Sequence, residues 1–287
     1  MEYLRLDRMP ALHDPVAVIA LAGWNDAATA ATSAARFVVR RLGARRFASL
    51  DPEPFFDFRE ARPSVRIDAA GERAITWPAN EFFYARNPVG PHDIVVAAGV
   101  EPNLHWRTFA DTCCALFQDL GIGLTVSLGA LMADVPHTRD VRVTGTAADA
   151  GLAARLDLAV SRYQGPTGLP GVLGDVFRRA GHPWVSLWAN VPHYVTTSQN
   201  PPATIALLRR LESLLGLDFD YAELNAAAGR FMAEVDTAVM ANPEIAAYVR
   251  RLEESHDSGA TLGTDAEPRP GELLLDIEEF LRGQREE

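Results

Sequence analysis

Four short apolar runs, each closed by a polar cluster, constrain this chain more than any other feature. Val16–Leu21 runs into Gly23-Trp24-Asn25-Asp26, and Ile94–Ala98 runs into Gly99-Val100-Glu101-Pro102 and on to His105-Trp106. Leu124–Leu128 leads through Ala130–Asp134 to Val135-Pro136-His137-Thr138-Arg139, and Val185–Ala189 leads to Val191-Pro192-His193-Tyr194. Runs this short, with helical periods between them, read as strands buried on both faces. Strands that alternate with helices specify an α/β protein: a three-layer α/β/α sandwich around a largely parallel sheet. In open sheets of this kind ligands and partners are met in the crevice beyond the carboxyl ends of the strands. The four polar clusters are therefore expected on one side of the sheet.

The remaining segments fill in around that frame. Asn25 or Asp26 caps a helix through Ala27–Leu42, and Arg45–Leu50 reads as a second strand. Residues 51–92 break the alternation: short segments at 65–67, 74–77 and 82–84, separated by turn residues, predict a β-excursion that decorates the main sheet. Helices are expected at about 104–120, Asp149–Leu156 and Gly168–Ala180, with a strand at Asp140–Gly145. Asn200-Pro201-Pro202 opens a helix through Leu215, and Tyr221–Leu252 is helical with a break at Asn242-Pro243. Residues 1–254 thus form one α/β/α domain. Residues 255–270 have the composition of a flexible linker, and 271–287 an amphipathic helix with Leu273, Leu274, Ile277, Phe280 and Leu281 on one face.

Composition excludes several function classes. All 27 cationic side chains are arginine, so lysine Schiff bases, lysine general bases and a Walker-type phosphate loop are ruled out. A formal charge of −11 argues against a nucleic-acid footprint. No apolar stretch is long enough to cross a bilayer, and the first residues lack the layout of a signal peptide, so a cytoplasmic protein is expected. Cys113 and Cys114, adjacent in one helix, read as buried reduced thiols.

The ligand-binding candidates are Asn25, Asp26, Glu101, His105, His137, Arg139, His193 and Tyr194. Converging imidazoles and carboxylates would suit general acid–base work. The prolines before His137 and His193 impose extended loop geometry, which a structural histidine uses equally well. No local pair such as His-x-x-x-His supplies two ligands, so neither a metal nor a cofactor is expected. Ser127 lies near His137 and Asp134 but inside an apolar run without a Gly-x-Ser-x-Gly elbow, the setting of a serine buried in a strand. The stretch Tyr163–Gly174 enters a helix through glycines and prolines. Thr167 and Gly168 are anion-binding candidates there, because first-turn N–H groups point outward; a tight helix entry uses the same residues.

Taken in order, these motifs resemble the proteasome assembly chaperone 2 family in its bacterial branch. The likeness is carried by Gly23-Trp24-Asn25-Asp26-Ala27, by Gly99-Val100-Glu101-Pro102 with Trp106, and by Val135-Pro136-His137-Thr138-Arg139. Tyr163-x-Gly165-Pro166-Thr167-Gly168 and Val191-Pro192-His193-Tyr194 with Asn200-Pro201 complete it, over roughly residues 1–250. The resemblance implies a sandwich similar to the nucleoside phosphorylase/hydrolase type, self-association, and in eukaryotic relatives a role in assembling the proteasome α-ring. It carries over no catalytic residue. Some relatives dock through a C-terminal hydrophobic-Tyr-any motif, from which Gly283-Gln284-Arg285-Glu286-Glu287 departs. An oligomeric protein-binding scaffold without catalysis is expected, with further copies and proteasome subunits as partners. The alternative is a small-molecule protein or enzyme that takes a nucleoside-type ligand in the strand-end crevice.

Overall fold

The computed structural model describes residues 2–68, 71–87 and 90–258. In chain order its strands are β1 (Leu4–Leu6), β2 (Val16–Ala22), β3 (Arg45–Leu50), β4 (Ser64–Ile67), β5 (Arg73–Thr76), β6 (Asn80–Ala85), β7 (Ile94–Val100), β8 (Leu124–Ala133), β9 (Val143–Ala147), β10 (Ala159–Val160) and β11 (Trp184–Pro192). The helices are α1 (Ala30–Arg41), α2 (Trp106–Asp119), α3 (Ala150–Leu156), α4 (Leu169–Arg179), α5 (Pro201–Leu215), α6 (Ala222–Ala241) and α7 (Pro243–Asp257). Nine strands form one sheet in the order β1-β3-β6-β7-β2-β8-β11-β9-β10, and β4–β5 is a separate hairpin.

The four apolar runs are the centre of that sheet. β7, β2, β8 and β11 lie side by side and parallel. The flanks differ from expectation: β6 pairs antiparallel with both β7 and β3, β1 antiparallel with β3, and β9 antiparallel with β11. The sheet is therefore mixed rather than largely parallel. On one flank the reason is β6, which returns from the 51–92 excursion into the sheet instead of decorating it. A strand that turns back beside its successor can only pair antiparallel.

Alternation along β2 shows how helices cover both faces. Val16, Val18 and Ala20 pack with Ala30, Ala34 and Phe37 of α1 and Leu207, Leu208 and Leu211 of α5. Ala17, Ile19 and Leu21 pack with Phe109, Cys113 and Phe117 of α2 and Leu173 and Phe177 of α4. The second face carries edge-on aromatic contacts, Phe82–Phe117 at 6.2 Å and Phe117–Phe177 at 5.6 Å. Each adds ~0.5–1.5 kcal/mol beyond its buried area. Both cysteines are buried in this layer, and burial pushes the Cys113 thiol well above its ordinary pKa.

Helix ends follow local chemistry. Residues expected to open one helix at Ala27 instead make a short 3-10 turn, Ala27–Thr29, in which Ala28 and Thr29 take φ of 48° and 49° before α1 begins. The bend lets the Asp26 carboxylate accept from the N–H groups of Ala31 at 2.7 Å and Thr32 at 3.3 Å. Asn200 caps α5 through Ala203 N at 3.0 Å. The single helical period over 221–252 becomes two helices because Pro243 has no N–H to donate, and Asn242 caps Glu244 and Ile245. α7 continues through Asp257, into the stretch with a linker's composition. Residues 259–270 and the helix expected at 271–287 lie outside the described residues.

Candidate functional site

Because β7, β2, β8 and β11 run parallel, their carboxyl ends emerge on one side of the sheet, in that order. Glu101, Asn25 with Asp26, the 134–139 loop, and His193 with Tyr194 follow in sequence along that edge. They do not form one constellation. The structure divides them into two clusters, each bonded to a different part of the chain.

The first cluster joins β2 and β7 to α4. The Glu101 carboxylate accepts from Leu169 N, the first residue of α4, at 2.6 Å and from Asn25 Nδ2 at 3.2 Å. A carboxylate at a helix N-terminus is favoured by the helix dipole and by the unpaired first-turn N–H groups. The chain thus places its own anion at the start of α4, where Thr167 and Gly168 stand. A Cβ at Gly168 would lie 1.9 Å from Asn25 Nδ2 and 2.9 Å from Glu101 Oε1, so any larger residue must displace those side chains. Asp26 is buried and holds α1. Burial raises its carboxyl above the ordinary value, and the bonds from Thr32 and Ala31 offset this in part. His105 stands apart, exposed at the start of α2 with φ 53°.

The second cluster joins β8 and β11 to the α6–α7 hairpin. His137 and Tyr194 are both buried. The Tyr194 oxygen accepts from His137 N at 2.7 Å and lies 2.7 Å from His137 Nδ1, while His137 Nε2 lies 3.0 Å from Asp236 Oδ1 of α6. These contacts select a tautomer. The phenol proton needs an acceptor and Nδ1 supplies it, so Nε2 carries the hydrogen and donates to Asp236. Beside them His193 Nδ1 lies 3.1 Å from Asp134 Oδ1, which also accepts from Tyr248 Oη of α7 at 3.1 Å. The rings of His193, Tyr194 and Tyr248 pack edge-on at 5.7–6.0 Å. Arg139 forks onto Asp257 at 2.9 and 2.8 Å and reaches Glu253 at 3.2 Å, and Thr138 donates to Glu253. Val235, Val249 and Leu252 close the interface with Tyr194 and Val195.

Chemically, this second cluster is a clamp. Burial pushes the Tyr194 phenol far above its ordinary pKa, and burial with the adjacent Asp134 charge pushes Tyr248 up to about 12. Both stay protonated near neutrality and act as fixed donors. Arg139 holds the Asp257 carboxyl at about 2, so that pair persists under mild acid. Among the described residues no group of three His, Cys, Asp or Glu side chains is arranged to hold a metal ion. A groove lined by Asp111, Cys114, Gln118 and Arg179 lies between α2 and α4, toward the far ends of those helices from the strand-end clusters.

Four partners in the clamp, Asp236, Tyr248, Glu253 and Asp257, were not among the candidates read from the sequence. Their signal was present in outline. Phe231, Val235 and Val239, then Ile245, Val249 and Leu252, recur at helical spacing and mark a face of α6–α7 that must be buried. Nothing local says which polar residues that face meets.

The family model of the PAC2 family matches residues 20–239. A PAC2 family protein from Streptomyces avermitilis is 43% identical, covering 82% of this chain and 100% of that one, with a TM-score of 0.77. A proteasome-assembly chaperone homologue from Mycobacterium tuberculosis is 41% identical over 82% of this chain and 99% of its own, with a TM-score of 0.74. An archaeal proteasome activator from Pyrococcus furiosus, 19% identical over 83% and 99% of the two chains with a TM-score of 0.67, shares the fold. No curated protein matches at a significant level. By a match that spans well over half its length, the chain belongs to the PAC2 family.

Proposed function

We propose that the protein is an oligomeric, protein-binding scaffold of the proteasome-assembly-chaperone kind, acting without catalysis in the cytoplasm, with proteasome subunits among its partners. The observation that carries this reading is the internal pairing of most strand-end side chains. Glu101 is committed to Leu169 and Asn25, His137 to Tyr194 and Asp236, and Arg139 to Asp257 and Glu253. Side chains whose types suit acid–base chemistry instead fix α4 and α6–α7 on the sheet, as a rigid scaffold requires. The 41% identical relative described as a proteasome-assembly chaperone homologue supports the same conclusion. Helices on both faces of the sheet accord with a sandwich of the nucleoside phosphorylase/hydrolase-like type, although half of the pairings in this sheet are antiparallel.

The test is native affinity purification of the full chain from its own cells, followed by mass spectrometry. Proteasome subunits are expected well above a mock control. Their absence, under conditions that keep the host proteasome intact, would reject the assignment.

A further inference from the structure

The β4–β5 hairpin is the element that its own chain accounts for least. A two-stranded hairpin alone is marginally stable in water; stability takes three or more strands with an apolar face, or a helix packed on them. Here the two strands form a sheet of their own, and all eight of their residues are exposed. The register sets Val65 opposite Ile75 and Ile67 opposite Arg73. Directly paired residues share a face and the side-chain period is two, so Val65, Ile67, Ile75 and Trp77 line one face. They are 47, 69, 56 and 46% exposed. Trp77 rests on Phe58 at 4.8 Å, which tethers one end of the apolar row to the body. An exposed apolar face on a short strand pair whose outer edges meet no other strand among the described residues marks a pairing site.

We propose that the β4 edge pairs antiparallel with β4 of a second copy of this chain, about a two-fold axis at Val65. The result is a four-stranded sheet whose face joins Val65, Ile67, Ile75 and Trp77 of both copies, with Arg73 at its outer corners, and it has the strand number a lone hairpin lacks. Self-complementarity identifies a copy as the occupant, because a two-fold interface needs the same patch to suit itself. Pairing about Val65 sets it against the partner's Val65. It also sets Pro63 against the partner's Ile67, where the proline carbonyl accepts but no N–H is returned, and Arg62 against the partner's Asp68, with both contacts repeated by symmetry. Apolar meets apolar and cation meets anion. Pairing about Arg66 would oppose two guanidinium groups. Pairing the β5 edge about Ile75 would set Glu72 against the partner's Pro78 and bring no opposite charges together. This contact rests on the oligomeric part of the proposed function and names its interface; the proteasome-subunit part stands or falls separately, by the affinity purification.

Cysteine trapping tests the register directly. Directly opposed residues bring their Cβ atoms within roughly 4.5–5.5 Å, close to disulfide reach, and the native Cys113 and Cys114 are buried. In the full chain Val65→Cys should form an intermolecular disulfide under mild oxidation at micromolar protein, while Ile75→Cys should not. Independently, the double variant Ile67→Asp/Ile75→Asp should reduce the particle mass by half or more in analytical ultracentrifugation. Its far-UV circular dichroism should stay that of the wild type, since both positions are exposed and the loss is of association rather than of the fold. A wild-type particle of one 31.3 kDa protomer would overturn the proposal. So would an unchanged mass in the double variant, or cross-linking of Ile75→Cys as readily as Val65→Cys.

Discussion

Replacing Tyr194 with phenylalanine removes one oxygen atom and no packing volume, which makes it a clean test of the clamp. That oxygen accepts from the His137 amide and donates to His137 Nδ1, both at 2.7 Å. The His137 side chain is 2% exposed, so water has no route to replace the lost hydroxyl. An unpaired buried amide costs about 1–3 kcal/mol, and a lost neutral hydrogen bond about 1 kcal/mol more. Tyr194→Phe should therefore destabilise the protein by ~2–4 kcal/mol. At roughly 2–4 °C per kcal/mol for a chain of this size class, the melting temperature should fall by ~4–16 °C.

Tyr248→Phe is the matched control. Its hydroxyl bonds Asp134 at 3.1 Å, but in a half-exposed setting that water can refill. About 0.5–1 kcal/mol is expected there. Urea denaturation of both variants gives the two free energies, and hydrogen exchange locates the effect. Amides of α6 and α7 should lose protection in Tyr194→Phe, while those of β2 and β7 keep theirs at matched global stability. If Tyr194→Phe lies within ~0.5 kcal/mol of wild type, the hydroxyl is not the pin described here. Equal losses in Tyr194→Phe and Tyr248→Phe would refute burial as the source of the difference.

Two further perturbations have signs fixed by the structure. His182 is buried with Nε2 2.8 Å from Thr125 Oγ1, and burial lowers its pKa below the ordinary 6.5. The folded state keeps it neutral while the unfolded chain takes up a proton, so its contribution is complete above 6.5 and is lost as pH falls through the folded value. Urea midpoints measured from about pH 8 down to pH 5 should fall less steeply in His182→Gln than in wild type, and identical slopes would refute the assignment. Gly168→Ala should cost ~1–3 kcal/mol by driving a methyl into Asn25 and Glu101. Gly229→Ala, in α6 with nothing within 4 Å of the new Cβ, should instead stabilise by ~0.5–1 kcal/mol. Shifts of the same sign in the two alanine variants would remove the steric cause assigned to Gly168.

What could be read in advance follows from which interactions are local. The four central strands were legible because a strand buried on both faces writes its burial into consecutive residues, as in Val16–Leu21 and Ile94–Ala98. β6 was visible as a segment but not as a member of the sheet. Its apolar residues say that a face is covered; its neighbours β3 and β7 are defined by register, which leaves no local mark. The site shows the same division more sharply. Its location came from strand polarity alone, since parallel strands must end together. Its chemistry did not, because His137 meets Asp236 across 99 residues and Arg139 meets Asp257 across 118. A sequence displays residue types, while function depends on which polar groups remain unsatisfied after folding. Histidines and carboxylates at strand ends therefore read as a candidate active site until α6–α7 is placed over them. Once those helices supply Asp236, Tyr248, Glu253 and Asp257, the same residues hold α6 and α7 against the sheet.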